Sequence, residues 1–206
     1  MDYMASIPFG SSHIFAGRKH KVGIGGKMIL ADYEIEKLAI EEGMISPFDR
    51  SKLNPFGYDL TLAEEFLMPH PQGSFILNPL DIKGNEKMLR PAYPLTGEFL
   101  VIPVNSFALG RSVEKLIMPK NIVGICLGRS SYARCGIITN VTPLEAGWEG
   151  VVTIEIANLG PWPVMVYVNK GITQVQFHQG NTPRKDYVAK GGRYQGQTGI
   201  TLSKGI

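Results

Sequence analysis

Apolar and polar positions alternate in short, broken runs from residue 28 onward, and one stretch alone has a helical period. After Asp32, the residues Ile35, Leu38 and Ala39 form a narrow apolar stripe that Gly43 ends. Asp32 reads as the N-cap of a helix that runs to about Glu42 and packs on a sheet. The rest consists of β-prone segments between turn residues, at 58–62, 74–77, 99–104, 107–111, 122–127, 137–141, 151–157, 164–168 and 173–177. Many short strands without interspersed helices predict a mainly β chain, built as a sandwich, jelly roll or barrel rather than a doubly wound nucleotide fold. Residues 1–27 are rich in Gly, Ser and basic residues and have no sustained period, so a flexible leader or an arm over the body is expected there. Residues 28–206 are expected to form a single domain. Its polar, Gly-rich tail, from about 187 to 206, either stays disordered or orders over a ligand.

Composition narrows this picture modestly. A chain of 206 residues with 44% hydrophobic content can bury one sizeable core. A net charge of +3 and a pI near 8.8 are mild, and the basic residues are scattered apart from Arg18 to Lys21. No nucleic-acid groove is indicated, while small anionic ligands remain compatible. Only two cysteines occur, Cys126 and Cys135, both in apolar sequence surroundings. That excludes a disulfide scaffold and makes a reducing cytoplasm the expected location, with Cys135 read as a small core residue. No apolar run approaches the roughly 18 residues needed to span a bilayer, and residues 1–27 lack an apolar signal core, so neither membrane insertion nor secretion is expected.

Two segments carry candidate chemistry. Between Gly128 and Gly136 the chain reads GRSSYARCG, a Gly-led turn into a one-turn helix that would put Ser130 and Arg134 on one face and offer amides to an anion. Phosphate recognition is the functional reading; a cap and a salt bridge is the structural one. The run VVTIEIAN, from Val151 to Asn158, holds one carboxylate, Glu155. Val152, Ile154 and Ile156 make one face of the strand, and Glu155 shares the other with Val151, Thr153 and Ala157. Either Glu155 points to solvent, or it is half-buried with a raised pKa suited to moving protons. In NPFGYDLTL, Tyr58 and Asp59 read as a turn and a strand start. His13, His20, His70 and His178 are widely separated and no CxxC occurs, which argues against zinc, and no GxSxG elbow supports a serine hydrolase.

The segments GRSSYARCGIITNVTPLEAGWEGVVTIEIAN and GGRYQGQTGITL, with NPFGYDLTLAEEF upstream, resemble the bacterial dCTP deaminase family of the dUTPase-like superfamily, from about Met28 to Lys204. The resemblance implies a distorted β jelly roll or barrel with a few short helices, assembled as a homotrimer with active sites between subunits. It implies conversion of dCTP and water to dUTP and ammonia without zinc, feeding thymidylate synthesis, with magnesium arriving on the triphosphate and dTTP as a candidate inhibitor. The family's catalytic glutamate falls on Glu155, and Ser130 and Arg134 match helix residues that hold the water, stabilise developing charge and meet the nucleotide. In the same helix segment, Arg129 and Ser131 would serve the phosphates, with Tyr132 and Ala133 alongside. Thr153 and Ile154 belong to the strand that contacts the base. Gln174, Tyr187, Arg193 and Gln197 match positions that bind sugar or triphosphate. Arg193 stands where the family usually has lysine, which keeps the charge and changes the hydrogen-bond geometry.

The turn TPLEAGWEG matches one family branch better than the other. Within it, Glu145 and Trp148 echo the Asp and Tyr of the dUTPase motif, which leaves a dUTP diphosphatase or a bifunctional dUMP-forming enzyme as alternatives. The tail has YQGQTG in place of the dUTPase glycine-rich pattern, and Trp148 also reads as a core aromatic. A nucleotide-binding regulator that keeps the fold without the chemistry is the remaining alternative.

Overall fold

The helix forms where the apolar stripe put it, one residue off at its start. In a computed structural model, which describes residues 28–70, 78–80 and 87–205, α1 spans Asp32–Glu41. Its N-cap is Ala31, not Asp32; the Ala31 N–H donates to Glu34 Oε2 at 3.1 Å, while Asp32 sits inside the first turn and accepts the Tyr33 N–H at 2.8 Å. Either placement sets a carboxylate at the positive end of the helix dipole, which is why the cap was mistaken by one position. Ile35 and Ala39 are buried beneath the helix.

Twelve strands follow in the described residues: β1 (Ile45–Ser46), β2 (Leu53–Asn54), β3 (Gly57–Thr61), β4 (Phe66–Pro69), β5 (Leu89–Ala92), β6 (Phe99–Ile102), β7 (Ser106–Ile117), β8 (Ile122–Gly128), β9 (Ile137–Asn140), β10 (Glu149–Asn158), β11 (Val164–Tyr167) and β12 (Gly171–Gln179). A single short helix, α2 (Ser130–Ala133), separates β8 from β9. All pairings between these strands are antiparallel, in one sheet ordered β5-β4-β7-β10-β9 with β1 also on β7, a second ordered β2-β3-β12-β8, and a β6-β11 pair. The mainly β architecture expected from the pattern is therefore present. Tyr58 and Leu60 of β3, Ile154 and Ile156 of β10, and Val175 and Phe177 of β12 are fully buried in one common core.

β7 is more than twice as long as its expected segment, and the reason is chemical. Its inward positions include Ser112 and Glu114, so the alternation of apolar side chains breaks after Gly110 although the strand continues. Both polar groups are satisfied inside. Glu114 accepts from the Thr61 N–H at 2.8 Å, the Thr61 hydroxyl at 2.6 Å and Lys52 Nζ at 3.1 Å. The Ser112 hydroxyl donates to the Glu114 carbonyl at 2.6 Å and accepts the Val152 N–H at 2.8 Å, at the place where the β7–β10 register shifts between Val151 and Thr153. β4 and β5 escaped the pattern because each is short and carries a proline, tolerable at the last residue of β4 and on the edge strand β5. Cys135 is exposed rather than a core residue, since the turn after α2 carries it outward. The expected leader at 1–27 and the expected strand at 74–77 lie outside the described residues. Among the described residues no helix is long and apolar enough to cross a membrane.

Candidate active site

β10 delivers the central carboxylate. Its alternation buries Val152, Ile154 and Ile156 on the core side and leaves Thr153 and Glu155 half-buried on the other. That second face borders a cavity of about 410 Å³, in whose wall Glu155 is the single carboxylate among Thr153, Gln197, Thr201, Ser203, Tyr187, Tyr194 and the apolar Leu109, Val141, Leu144 and Trp148. Burial pushes the Glu155 carboxyl above its usual range, and the Asn140 amide, donating to Oε2 at 3.3 Å, only partly offsets it. Asn140 lies directly opposite Glu155 in the β9–β10 register, so strand pairing brings the two together. The nearby Cys126 thiol is pushed up to about 12 by burial and by the Glu155 charge, which removes it as a nucleophile.

The tail closes this cavity by pairing with the start of β10. Gly196 donates its N–H to Glu149 O at 2.8 Å, and Val151 donates to Gln197 O at 2.8 Å. Gly150 sits between them at φ 152°, and a side chain there would lie 2.8 Å from Gln197 N, so the close approach needs glycine. The Thr153 hydroxyl donates to Gln197 Oε1 at 3.1 Å and accepts the Thr201 N–H at 3.1 Å. Trp148, only 5% exposed, donates Nε1–H to the Tyr194 carbonyl at 2.8 Å. Its observed role is that of a core aromatic pinning the tail. Tyr187 and Tyr194 also line a second cavity of about 510 Å³, whose wall carries Lys185, Lys190 and Arg193 together with Glu145 and Asp186. A tyrosine-flanked chamber with one acid and no cation thus adjoins one with three cations and two acids, an arrangement suited to a base at one end and phosphates at the other.

Within one chain the structure gathers some of the expected residues and separates others. Glu155, Thr153, Tyr187 and Gln197 share the first cavity, and Tyr187 and Arg193 share the second. Ile154 is fully buried in the core and does not line either. Ser130, Ser131, Ala133 and Arg134 are exposed on and beside α2 and do not line the Glu155 cavity. Ser130 and Arg134 do share one helical turn, the Arg134 N–H donating to Ser130 O at 3.0 Å. Tyr132 is half-buried and accepts the Tyr167 N–H at 3.0 Å. Arg129 and Gln174 both contact Asp59. Sequence reasoning missed Asn140, Thr201 and Ser203, because only strand register and the fold-back of the tail bring them to Glu155.

A family model described as dCTP deaminase-like matches residues 29–180, the span that carries the sheets, α2 and Glu155. The chain belongs to the dCTP deaminase-like family. Among relatives of that family, the dCTP deaminase of Erythrobacter litoralis is 43% identical over 186 residues, covering 85% of this chain and 98% of that protein. The dCTP deaminase of Campylobacter lari is 42% identical over 184 residues, covering 84% of this chain and 96% of that protein. The crystal structure of 2'-deoxycytidine 5'-triphosphate deaminase from Agrobacterium tumefaciens superposes with a TM-score of 0.60 at 22% identity, over 74% of this chain and 48% of that chain, a likeness of fold. The dCTP deaminase-like match ends at residue 180, before the tail that closes the Glu155 cavity.

Proposed function

We propose that the protein is a dCTP deaminase that exchanges the exocyclic amine of cytosine for oxygen with Glu155 as its acid–base group. What carries the reading is Glu155 itself: a half-dried carboxylate, alone of its kind in the cavity wall, in a chain more than 40% identical to dCTP deaminases over nearly their whole length. In this mechanism the Glu155 carboxylate takes a proton from water as its oxygen bonds to C4 of the base. The carboxylic acid then returns that proton to the amine, the C4–N bond breaks and ammonia leaves, and the remaining proton of the new C4 hydroxyl passes to N3 as the C4 carbonyl forms, giving dUTP. Thr153 and Gln197 hold the base side of the chamber. Lys190 and Arg193 offer charge to the triphosphate, which brings its own magnesium.

Ser130 and Arg134 join the reaction from a neighbouring subunit of a homotrimer. Supporting this, α2 is exposed and flanked by Leu127 and Ile138, apolar residues 50% and 51% exposed, on a chain whose own Glu155 cavity lacks a cation and a serine from α2. Residues 28–206 act as one domain with the tail as its closing segment, and the free thiols of Cys126 and Cys135 accord with a cytoplasmic setting. A second reading, dUMP formation in one passage, draws on Glu145 beside the cations of the larger cavity.

One assay separates these readings: purified protein with dCTP, dUTP, dCMP and cytidine, counting ammonia and pyrophosphate independently. Ammonia from dCTP alone is the expected result; pyrophosphate as well would make the enzyme bifunctional, and neither product would leave a non-catalytic binder. Glu155→Gln should keep dCTP binding while lowering kcat by about a thousandfold. Normal turnover by that variant defeats the assignment.

A further inference from the structure

Asp59 is the hub of a polar cluster that the mechanism above does not use. Strand pairing sets it opposite Gln174 on β12, and it is 9% exposed. Its two oxygens divide their partners. Oδ2 meets Arg129 Nη1 at 3.1 Å, whereas Oδ1 accepts Asn54 Nδ2 at 3.0 Å and Gln174 Nε2 at 3.4 Å. Arg129 Nη1 also reaches the Gly171 carbonyl at 3.4 Å, and a side chain on Gly171 would lie 2.6 Å from that same nitrogen. The guanidinium therefore rests in a slot that glycine leaves open. Both contacts use Nη1, so Nε and Nη2 have no protein partner among the described residues, nor does the Gln174 carbonyl oxygen.

A carboxylate that existed only to neutralise a cation would be expected to engage the fork of the guanidinium bidentately. Here a single edge is tied down and the other two donors are left free, on a side chain still 40% exposed. Arg129 begins α2, so fixing its guanidinium fixes a pair of parallel N–H donors at the mouth of the helix that also carries Ser130 and Arg134. We propose that Asp59 is a positioning residue for nucleotide binding, holding Arg129 with one oxygen and Gln174 with the other so that their unused groups face the phosphates and sugar of the substrate. The inference rests on the dCTP reading given above for Arg129 and Gln174. Its chemistry is pre-organisation: side chains ordered before the ligand arrives need not be ordered by it.

Asp59→Asn keeps the shape and an oxygen for the two amides but turns an N–H₂ toward Arg129. The expected result is a rise of about tenfold in the KM and Kd for dCTP, with kcat within about twofold of the parent. In an Arg129→Ala background the same change should raise KM by less than about twofold, because its target is gone. An unchanged KM for Asp59→Asn, or an equal penalty in both backgrounds, overturns the proposal. If Asp59→Asn loses its cooperative thermal transition, Gly171→Ala takes its place. It displaces the guanidinium without removing charge, and should also raise KM about tenfold; an unchanged KM overturns the proposal. Absence of ammonia from dCTP with the parent enzyme would defeat the deaminase reading instead, and calorimetric binding of dCTP to these variants would still test the role of Asp59.

Discussion

Burial that raises the Glu155 carboxyl pKa, the property on which its proposed role rests, also weakens the fold. Its carboxyl pKa in the folded chain lies above the ordinary value of 4.5, so the native state holds the proton more tightly than the unfolded chain does. Stability contributed at this position is thus greatest below 4.5, falls as pH rises through the folded value, and stays reduced above it. Glu155→Gln should melt at a higher temperature than the parent at neutral pH, and the gap should close on acidification towards 4.5, as thermal scans across pH would show. The catalytic counterpart has the same origin. A base that must be ionised loses activity as pH falls, and the acid limb of kcat/KM should have its midpoint above 4.5. Asn140→Ala removes a hydrogen bond that favours the ionised form and should move this limb further up. Glu155 stood out in the sequence as a lone charge among β-branched residues; its hydrogen-bond partner Asn140 did not, since their contact depends on the register of two strands and the residues are 15 apart in the chain.

At the scale of elements, the β7–β10 pair fixes where Thr153 and Glu155 point. A register shift between Val151 and Thr153 would leave a backbone N–H without its ladder partner, and the Ser112 hydroxyl supplies one to Val152. Ser112→Ala should cost about 2 kcal/mol in denaturant melts, because the Val152 N–H and the Glu114 carbonyl lose their partner in a dry interior. Lys52→Met addresses a second internal tie. It would strip Glu114, which is wholly buried, of its counter-charge; with the Lys52 side chain 24% exposed, water softens the loss to about 2 kcal/mol. Thr61 would keep its two hydrogen bonds to Glu114, so the fold should survive for the measurement. These inward polar residues are also why the full length of β7 was hidden. A strand read by apolar alternation ends where Ser112 and Glu114 begin, although pairing with Glu149, Gly150 and Val151 of β10 and with β1 carries it on to Ile117.

Assembly belongs to the whole molecule. If α2 completes the Glu155 site of an adjoining copy, Leu127→Lys with Ile138→Lys should yield a folded monomer in sedimentation experiments and lower deamination at least a hundredfold. A trimer with full activity would refute that arrangement. By itself the sequence determined the mainly β class, a helix between Asp32 and Gly43 to within a residue at its start, and the family to which the chain belongs, because side-chain period and ordered motifs are local properties. Only the tertiary structure decided which groups surround the acid. It folded the tail back onto the first residues of β10, seated Trp148 as its pin, and left Ser130 and Arg134 out of the wall of the Glu155 cavity within one chain. It also turned Asp59 from an apparent strand start into a buried hub, since hydrogen bonds between β3, β12 and the start of α2 depend on distances in space that no order of residues along the chain encodes.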